Sequence, residues 1–507
     1  MNSWHFQKTV LRYMHILIIG GHQMPVLTDL QPACVLRYFE ELCAIPHGSG
    51  NTKAISDYCV RFAEEHGLEY HQDALNNVII IKPASEGYED APAVILQGHL
   101  DMVCEKTADC ALDMAVQGLD VATDGEWIWA NGTTLGGDDG IAVAMALAAL
   151  DDDSLPHPRL EVVLTVDEEI GMEGAVGLDT SCLQGRVMLN VDSEVEGILT
   201  VSCAGGVRAC CHVPVERETT EGVLCEILIG GLLGGHSGVE IHKGRANSNM
   251  LMGRLLYGLS REMALRIIHL HGGQADNAIA PRTEAAVLIP AEEVERAQAL
   301  TESYNRVFCK EFASVDPGVT VVFRVCQKGT APALTLAATA RVTSALMLLP
   351  NGVQTMSQDI PGLVQTSLNL GVLRLEEQEM TATFAVRSSV ATEKAMICNR
   401  IDCLSSLLGG CVTYAGDYPG WEYLRDSKLR ELVADVYGKQ TGKKPVIEAI
   451  HAGLDCGVFA GKLPGLDCVS IGPDMDAIHT PKERLSIPST QRTWALVCEV
   501  LRRSKEL

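Results

Sequence analysis

The stretch Ala93-Val94-Ile95-Leu96-Gln97-Gly98-His99-Leu100-Asp101 decides the fold. Its apolar residues run in succession, without the alternation of a half-solvated strand. That pattern describes a strand covered on both faces, as in a parallel sheet flanked by helices. The run ends on His99 and Asp101, two positions apart and therefore on one face of an extended chain. Leu160–Val166 has the same form and runs into Asp167-Glu168-Glu169; Arg186–Val191 has it again and runs into Asp192-Ser193-Glu194. One strand ending at a carboxylate means little. Three that deliver histidine or carboxylates at their C-terminal ends, where open α/β sheets bind ligands, point to a single site.

Outward from these strands, Ile141–Leu150 is apolar on every side and rich in alanine, which predicts a helix packed closely on the sheet. Val35–Ile45 and Lys53–Gly67 read as helices and Asn77–Lys82 as a strand, so the class is α/β. The Ala-rich helix is entered through Gly136-Gly137-Asp138-Asp139-Gly140. Glycines let backbone and carboxylate approach a cation closely, but carboxylates also cap helix starts. The turn alone leaves both readings open, and leaves open which of the two aspartates is the ligand. Asp101 is expected to accept the second ring N–H of His99 and fix its tautomer. Glu168 and Glu169 are adjacent and leave the strand in different directions, so one can ligate while the other moves protons.

The chain has 507 residues, more than one core usually serves, so two domains are expected. Hydrophobic residues make up 47% and charged residues 21%, a globular balance. The formal net charge of -25 argues against nucleic acid, whose phosphates need clustered Lys and Arg. The 18 cysteines form no CxxC pair or zinc-ribbon spacing and read as reduced thiols of a cytoplasmic protein. Near the N-terminus, Lys8 and Arg12 precede the apolar Met14–Gly20, which is too short to span a bilayer. Residues 1–25 are expected to be an unstructured extension, or the start codon to be placed too early with Met24 as the true start, and no membrane association is expected. A GxSxG elbow and an HExxH helix are both absent, which sets aside two common hydrolase mechanisms.

Several motifs resemble the co-catalytic zinc metallopeptidase family that includes carboxypeptidase G, tripeptidase T and carnosinase. They are Leu96-Gln97-Gly98-His99-Leu100-Asp101-Met102-Val103, Gly132-Thr133-Thr134-Leu135-Gly136-Gly137-Asp138, Asp192-Ser193-Glu194, Gly234-Gly235-His236-Ser237-Gly238, His451-Ala452-Gly453-Leu454-Asp455-Cys456-Gly457 and Val469-Ser470-Ile471-Gly472-Pro473. They occur in order over nearly the whole chain. The resemblance implies two divalent metals, zinc being expected and cobalt or manganese suiting the same donors. It implies His99 and Asp192 on one metal, Glu169 and His479 on the other, and Asp138 between them. Glu168 would be the general base and Asp101 the partner of His99. His236 would stabilise the oxyanion, reaching the partner subunit's site in a homodimer; Arg387 would bind the substrate carboxylate, and Asn277 the substrate. After Asn277 the chain runs Ala278-Ile279-Ala280-Pro281, apparently one residue longer than the usual family pattern.

The activity so implied is hydrolysis of dipeptides with free termini, Xaa-His among them. An N-acyl-amino-acid deacylase using the same metals is the alternative enzyme, and a non-catalytic metal-binding protein the alternative from another class. The expected architecture is a discontinuous catalytic domain with a mixed, largely parallel sheet (residues 26–205 and 415–507), plus an inserted α+β lid (206–414). The lid should contain a strand over Leu224–Leu232, a helix from about Ser248 to Met263 and a strand through Thr381–Arg387, and should rotate over the substrate to exclude water.

Overall fold

The computed structural model describes residues 26–507; the expectations for residues 1–25 lie outside the described residues. The described chain forms two units. The first takes residues up to Val201, then Tyr423–Glu448 and Leu454–Leu507; the second takes Ser202–Glu422 and Ala449–Gly453.

The first unit is built on an eight-stranded sheet. Its order is Glu69–Gln72, Val78–Lys82, Leu160–Thr165, Val94–His99, Val187–Asn190, Asp467–Ser470, Ile198–Cys203 and Val446–Ile450. The four middle strands, from Leu160–Thr165 to Asp467–Ser470, run parallel. Their neighbours Val78–Lys82 and Ile198–Cys203 run antiparallel to them. The parallel strands are buried on both faces, as their unbroken apolar runs require. The helix Gly137–Asp151 is buried from Gly137 to Leu150, and its alanines let it lie close against Val94–His99 and the helix Ala33–Cys43. A separate four-stranded sheet includes the hairpin Met475–Asp476/Arg484–Ser486, whose loop carries His479.

The second unit is a nine-stranded antiparallel sheet. From the edge strand Thr320–Leu334 it runs through Arg217–Gly230, Thr283–Ile289, Arg266–Gly272, Val364–Leu375, Glu379–Ser388 and Gly205–Pro214 to Cys411–Tyr418, and the ninth strand, Gly352–Met356, pairs with Val364–Leu375 off this path. Its core joins one face of this sheet, with residues such as Val207, Leu368 and Val386, to the helices Ser248–Glu262, Leu336–Leu348 and Ala391–Leu407. The expected boundaries shift here. Cys411–Tyr418 pairs with Gly205–Pro214, so residues 415–422 stay with the second unit. A short return, Ala449–Gly453, brings His451 into the second unit as well.

Candidate active site

His99 closes the Val94–His99 strand, and its amide donates to Asp139 Oδ2 at 3.1 Å. Its Nδ1 lies 2.9 Å from the Asp101 backbone carbonyl and 3.5 Å from Asp101 Oδ1. The carbonyl can only accept, so Nδ1 carries the proton and Nε2 offers a lone pair. The partner is therefore the carbonyl of Asp101 rather than its expected carboxylate. That carboxylate accepts instead from the amides of Glu168 (3.1 Å) and Glu169 (3.4 Å) and from the Ser49 hydroxyl (2.8 Å). It thus fixes the turn that presents the glutamate pair.

Asp138 faces one imidazole with each oxygen: Oδ1 is 3.2 Å from His99 Nε2, and Oδ2 is 3.1 Å from His479 Nε2. Asp192 Oδ1 lies 3.7 Å from His99 Nε2, and Glu169 Oε1 lies 2.9 Å from His479 Nε2. Two triads result, His99–Asp138–Asp192 and Asp138–Glu169–His479, with donor atoms in each within 4.8 Å of one another. Asp139 belongs to neither; its Oδ2 accepts from the His99 amide. The Asp138–Asp139 peptide bond is cis. Two close approaches hold this arrangement. A Cβ on Gly98 would come within 2.6 Å of Ala142 Cβ and 2.7 Å of Asp139 Oδ2, so only glycine fits. The Glu483 carboxylate accepts from the amides of Leu135 (2.7 Å), Gly136 (3.2 Å) and Gly137 (2.7 Å), fixing the turn before Asp138.

The electrostatics of this cluster call for cations. Asp138, Asp139, Glu168, Glu169, Asp192 and Glu194 stand against two imidazoles, and these groups dominate one another's fields. Burial, Asp455 and the neighbouring carboxylates push Glu168 up to about 8. Burial, Asp139 and Asp138 hold Asp192 well above the carboxylate range. Burial would lower His99, but Asp101 and Asp138 outweigh it and carry the imidazole well above its usual range. Asp138 and Glu169 raise His479 to about 10. Glu169 Oε1 is buried and accepts no hydrogen bond, although His479 Nε2 is close by. The two atoms belong to the set that, with Asp138, lies within 4.8 Å of one another, close enough to share a cation. Three imidazole and carboxylate donors in each set are the number that a catalytic zinc with one open position takes, and cations there would return the carboxylates to their charged form.

The remaining predicted residues lie in the second unit. His236 Nδ1 accepts from the amides of Gly238 and Val239, both at 3.2 Å, so its proton sits on Nε2. Burial and the charge of Arg387 lower its pKa, which keeps it neutral and able to donate. Asn277 joins this loop through its backbone, its carbonyl accepting from Ser237 N at 2.8 Å, while its side chain is exposed. Arg387 donates from Nη1 to the Tyr418 hydroxyl at 3.1 Å, and its buried Nε has no partner.

Sequence reasoning missed Glu483, and it left Asp455 without a role. Asp455 Oδ2 accepts from Gln97 Nε2 (3.0 Å) and Thr165 Oγ1 (2.5 Å), tying the ends of two parallel strands together. Glu483 had a faint signal, a carboxylate four residues beyond His479. Nothing local tells that it reaches Gly136.

The model of peptidase family M20/M25/M40 matches residues 95–503. The cytosol non-specific dipeptidase of Escherichia coli (strain K12) is 36% identical over 483 residues, covering 94% of this chain and 99% of the relative. The crystal structure of aminoacylhistidine dipeptidase from Vibrio alginolyticus superposes with a TM-score of 0.89 at 36% identity, covering 94% of this chain and 98% of that one. Aminopeptidase PepT from Bacillus cereus, at 15% identity and a TM-score of 0.53, shares the fold over 94% of this chain and 99% of its own. The chain belongs to peptidase family M20/M25/M40.

Proposed function

We propose that the protein is a two-metal dipeptidase that hydrolyses dipeptides with free termini, Xaa-His among them. The observation that carries this reading is Asp138, whose two oxygens each face a different imidazole at the meeting point of two three-residue donor sets. The full-length relatives of the same family, both named as dipeptidases, support the substrate class.

In this reading His99, Asp138 and Asp192 hold one divalent cation, and Asp138, Glu169 and His479 a second. Zinc is the proposed metal; cobalt or manganese would suit the same donors. The cations supply Lewis acidity, lowering the pKa of the attacking water and polarising the scissile carbonyl. Glu168, in neither donor set, takes the proton from the water and passes it to the leaving amine. Asp101 positions it through the Glu168 amide. His236 donates from Nε2 to the oxyanion, Arg387 receives the substrate carboxylate, and Asn277 contributes a further contact to the substrate. A cytoplasmic homodimer is proposed as the working form. All 18 cysteines are free thiols, and among the described residues no helix is long and apolar enough to cross a membrane.

The discriminating experiment offers zinc-loaded protein Ala-His and, separately, N-acetylated amino acids. Release of free alanine and histidine with no deacylation is expected. The opposite preference would replace this reading with that of an N-acyl-amino-acid deacylase.

A further inference from the structure

Arg387 belongs to a row of residues that crosses four strands of the second unit. Ser367 pairs directly with Arg387, Arg387 with Gly206, and Gly206 with Tyr418. Directly paired positions project to one face of a sheet. Their neighbours Leu368, Val386 and Val207 enter the core on the other face. Gly206 is what lets the row close up. A Cβ there would lie 2.5 Å from the Tyr418 hydroxyl, which instead passes over the glycine to accept from Arg387 Nη1.

At the other end of the row, Ser367 Oγ lies 2.7 Å from His451 Nε2. His451 is only 7% exposed. Burial above all, and the charge of Arg387, lower its pKa to about 3, so the ring is neutral. In the tautomer that accepts the Ser367 hydroxyl at Nε2, the ring proton sits on Nδ1 and is free to donate. The His451 carbonyl also lies 2.6 Å from where a Cβ on Gly238 would stand, beside the His236 ring. His236, His451 and Arg387 therefore cluster. Arg387 forms no ion pair with any carboxylate among the described residues, and its Nε donor is buried and idle. A half-buried guanidinium without a carboxylate, its buried Nε unpartnered and a neutral imidazole at hand, suits an anionic acceptor from outside the chain.

We propose that His451, held by Ser367, is a second donor to the substrate carboxylate beside Arg387, and so a specificity residue for peptides with a free C-terminus. The proposal rests on the dipeptidase reading above. It gives the His451-Ala452-Gly453 motif and the Ala449–Gly453 return a purpose.

The test compares Ala-Ala with its C-terminal amide, Ala-Ala-NH2, on the zinc-loaded protein and three variants. His451→Leu keeps the volume and apolar burial of the site but removes the donor. His451→Asn retains a donor near the Nδ1 position. Arg387→Ala is the reference. A hydrogen bond to a charged group is worth roughly tenfold or more in binding. His451→Leu should therefore raise KM for Ala-Ala about tenfold with kcat nearly unchanged. It should leave the amide's KM alone, and His451→Asn should recover much of the loss. Metal content and the far-ultraviolet circular dichroism spectrum should not move. An unchanged preference for acid over amide in His451→Leu, or a fall confined to kcat, overturns the proposal. If Arg387→Ala also leaves that preference intact, the assignment of Arg387 fails with it. Absence of Ala-Ala hydrolysis by the unsubstituted protein would instead reject the dipeptidase reading itself.

Discussion

Asp138 is buried and Glu168 half-buried among carboxylates, yet their substitutions separate two roles. Glu168 lies outside both donor sets, so Glu168→Ala should keep its metal and lose about 10²-fold or more in kcat, the usual worth of a general base. Asp138 belongs to both sets, so Asp138→Ala should lose metal and turnover together. Metal analysis beside a dipeptide assay checks both, and full metal loading in Asp138→Ala would break the bridging assignment. His451 allows a prediction about pH. Its folded pKa is about 3 against an ordinary value near 6.5. Above about pH 6.5 neither state binds the proton, and the group contributes nothing to pH dependence. As pH falls below that, the unfolded chain takes up a proton that the folded one refuses, so stability declines toward about pH 3. His451→Asn should flatten that acid limb in urea melts between about pH 6 and pH 4; an unaltered slope would show that other groups set it. At this scale the sequence was informative where chemistry is local. Strand alternation placed His99 and Asp101 on one face, but it cannot say which oxygen of Asp101 meets the ring. The backbone carbonyl takes the bond and frees the carboxylate for the amides of Glu168 and Glu169.

Among elements, the site depends on how closely the Ala-rich helix sits against the Val94–His99 strand. Gly98→Ala would place a methyl within 2.7 Å of the Asp139 carboxylate. Overpacking of that kind costs about 1–3 kcal/mol, and here it would also displace the acceptor of the His99 amide. A lowered melting temperature together with weaker zinc binding is expected; a neutral result would mean that the strand and helix can part without disturbing the metal site. Glu483→Ala would strip the acceptor from three buried amides before Asp138. Each unsatisfied buried donor costs about 1–3 kcal/mol, so destabilisation of at least about 2 kcal/mol is expected by denaturant titration, with loss of metal affinity. The strands and helices of the first unit were legible because parallel strands buried on both faces leave unbroken apolar runs. The turn Gly136–Gly140 was ambiguous by itself, since a cap and a ligand demand the same residue types. The partners that resolve it, His479 and Glu483, sit on a hairpin more than 300 residues away in sequence.

On the scale of the molecule, the sequence indicated a two-part architecture but misplaced its seams. Residues 415–422 carry no composition shift to mark them. They belong to the second unit because their strand completes its sheet, and the return at Ala449–Gly453 is too short to leave a periodic signature. The site residues are likewise dispersed from His99 to His479, and apart from the family resemblance nothing in the sequence selects His479 among 15 histidines. The buried excess of carboxylates in the first unit makes the whole fold respond to metal. Chelation should lower the melting temperature, and zinc at about 100 times its Kd should restore about 2.7 kcal/mol per site. The most direct test of the account follows Ala-His hydrolysis by chelator-stripped protein during stepwise zinc addition, with bound metal measured at each step. No cleavage is expected in the stripped protein, and activity should rise and level off at two zinc ions per chain. Cleavage that survives complete stripping, or a fully loaded protein that leaves Ala-His intact, would contradict it.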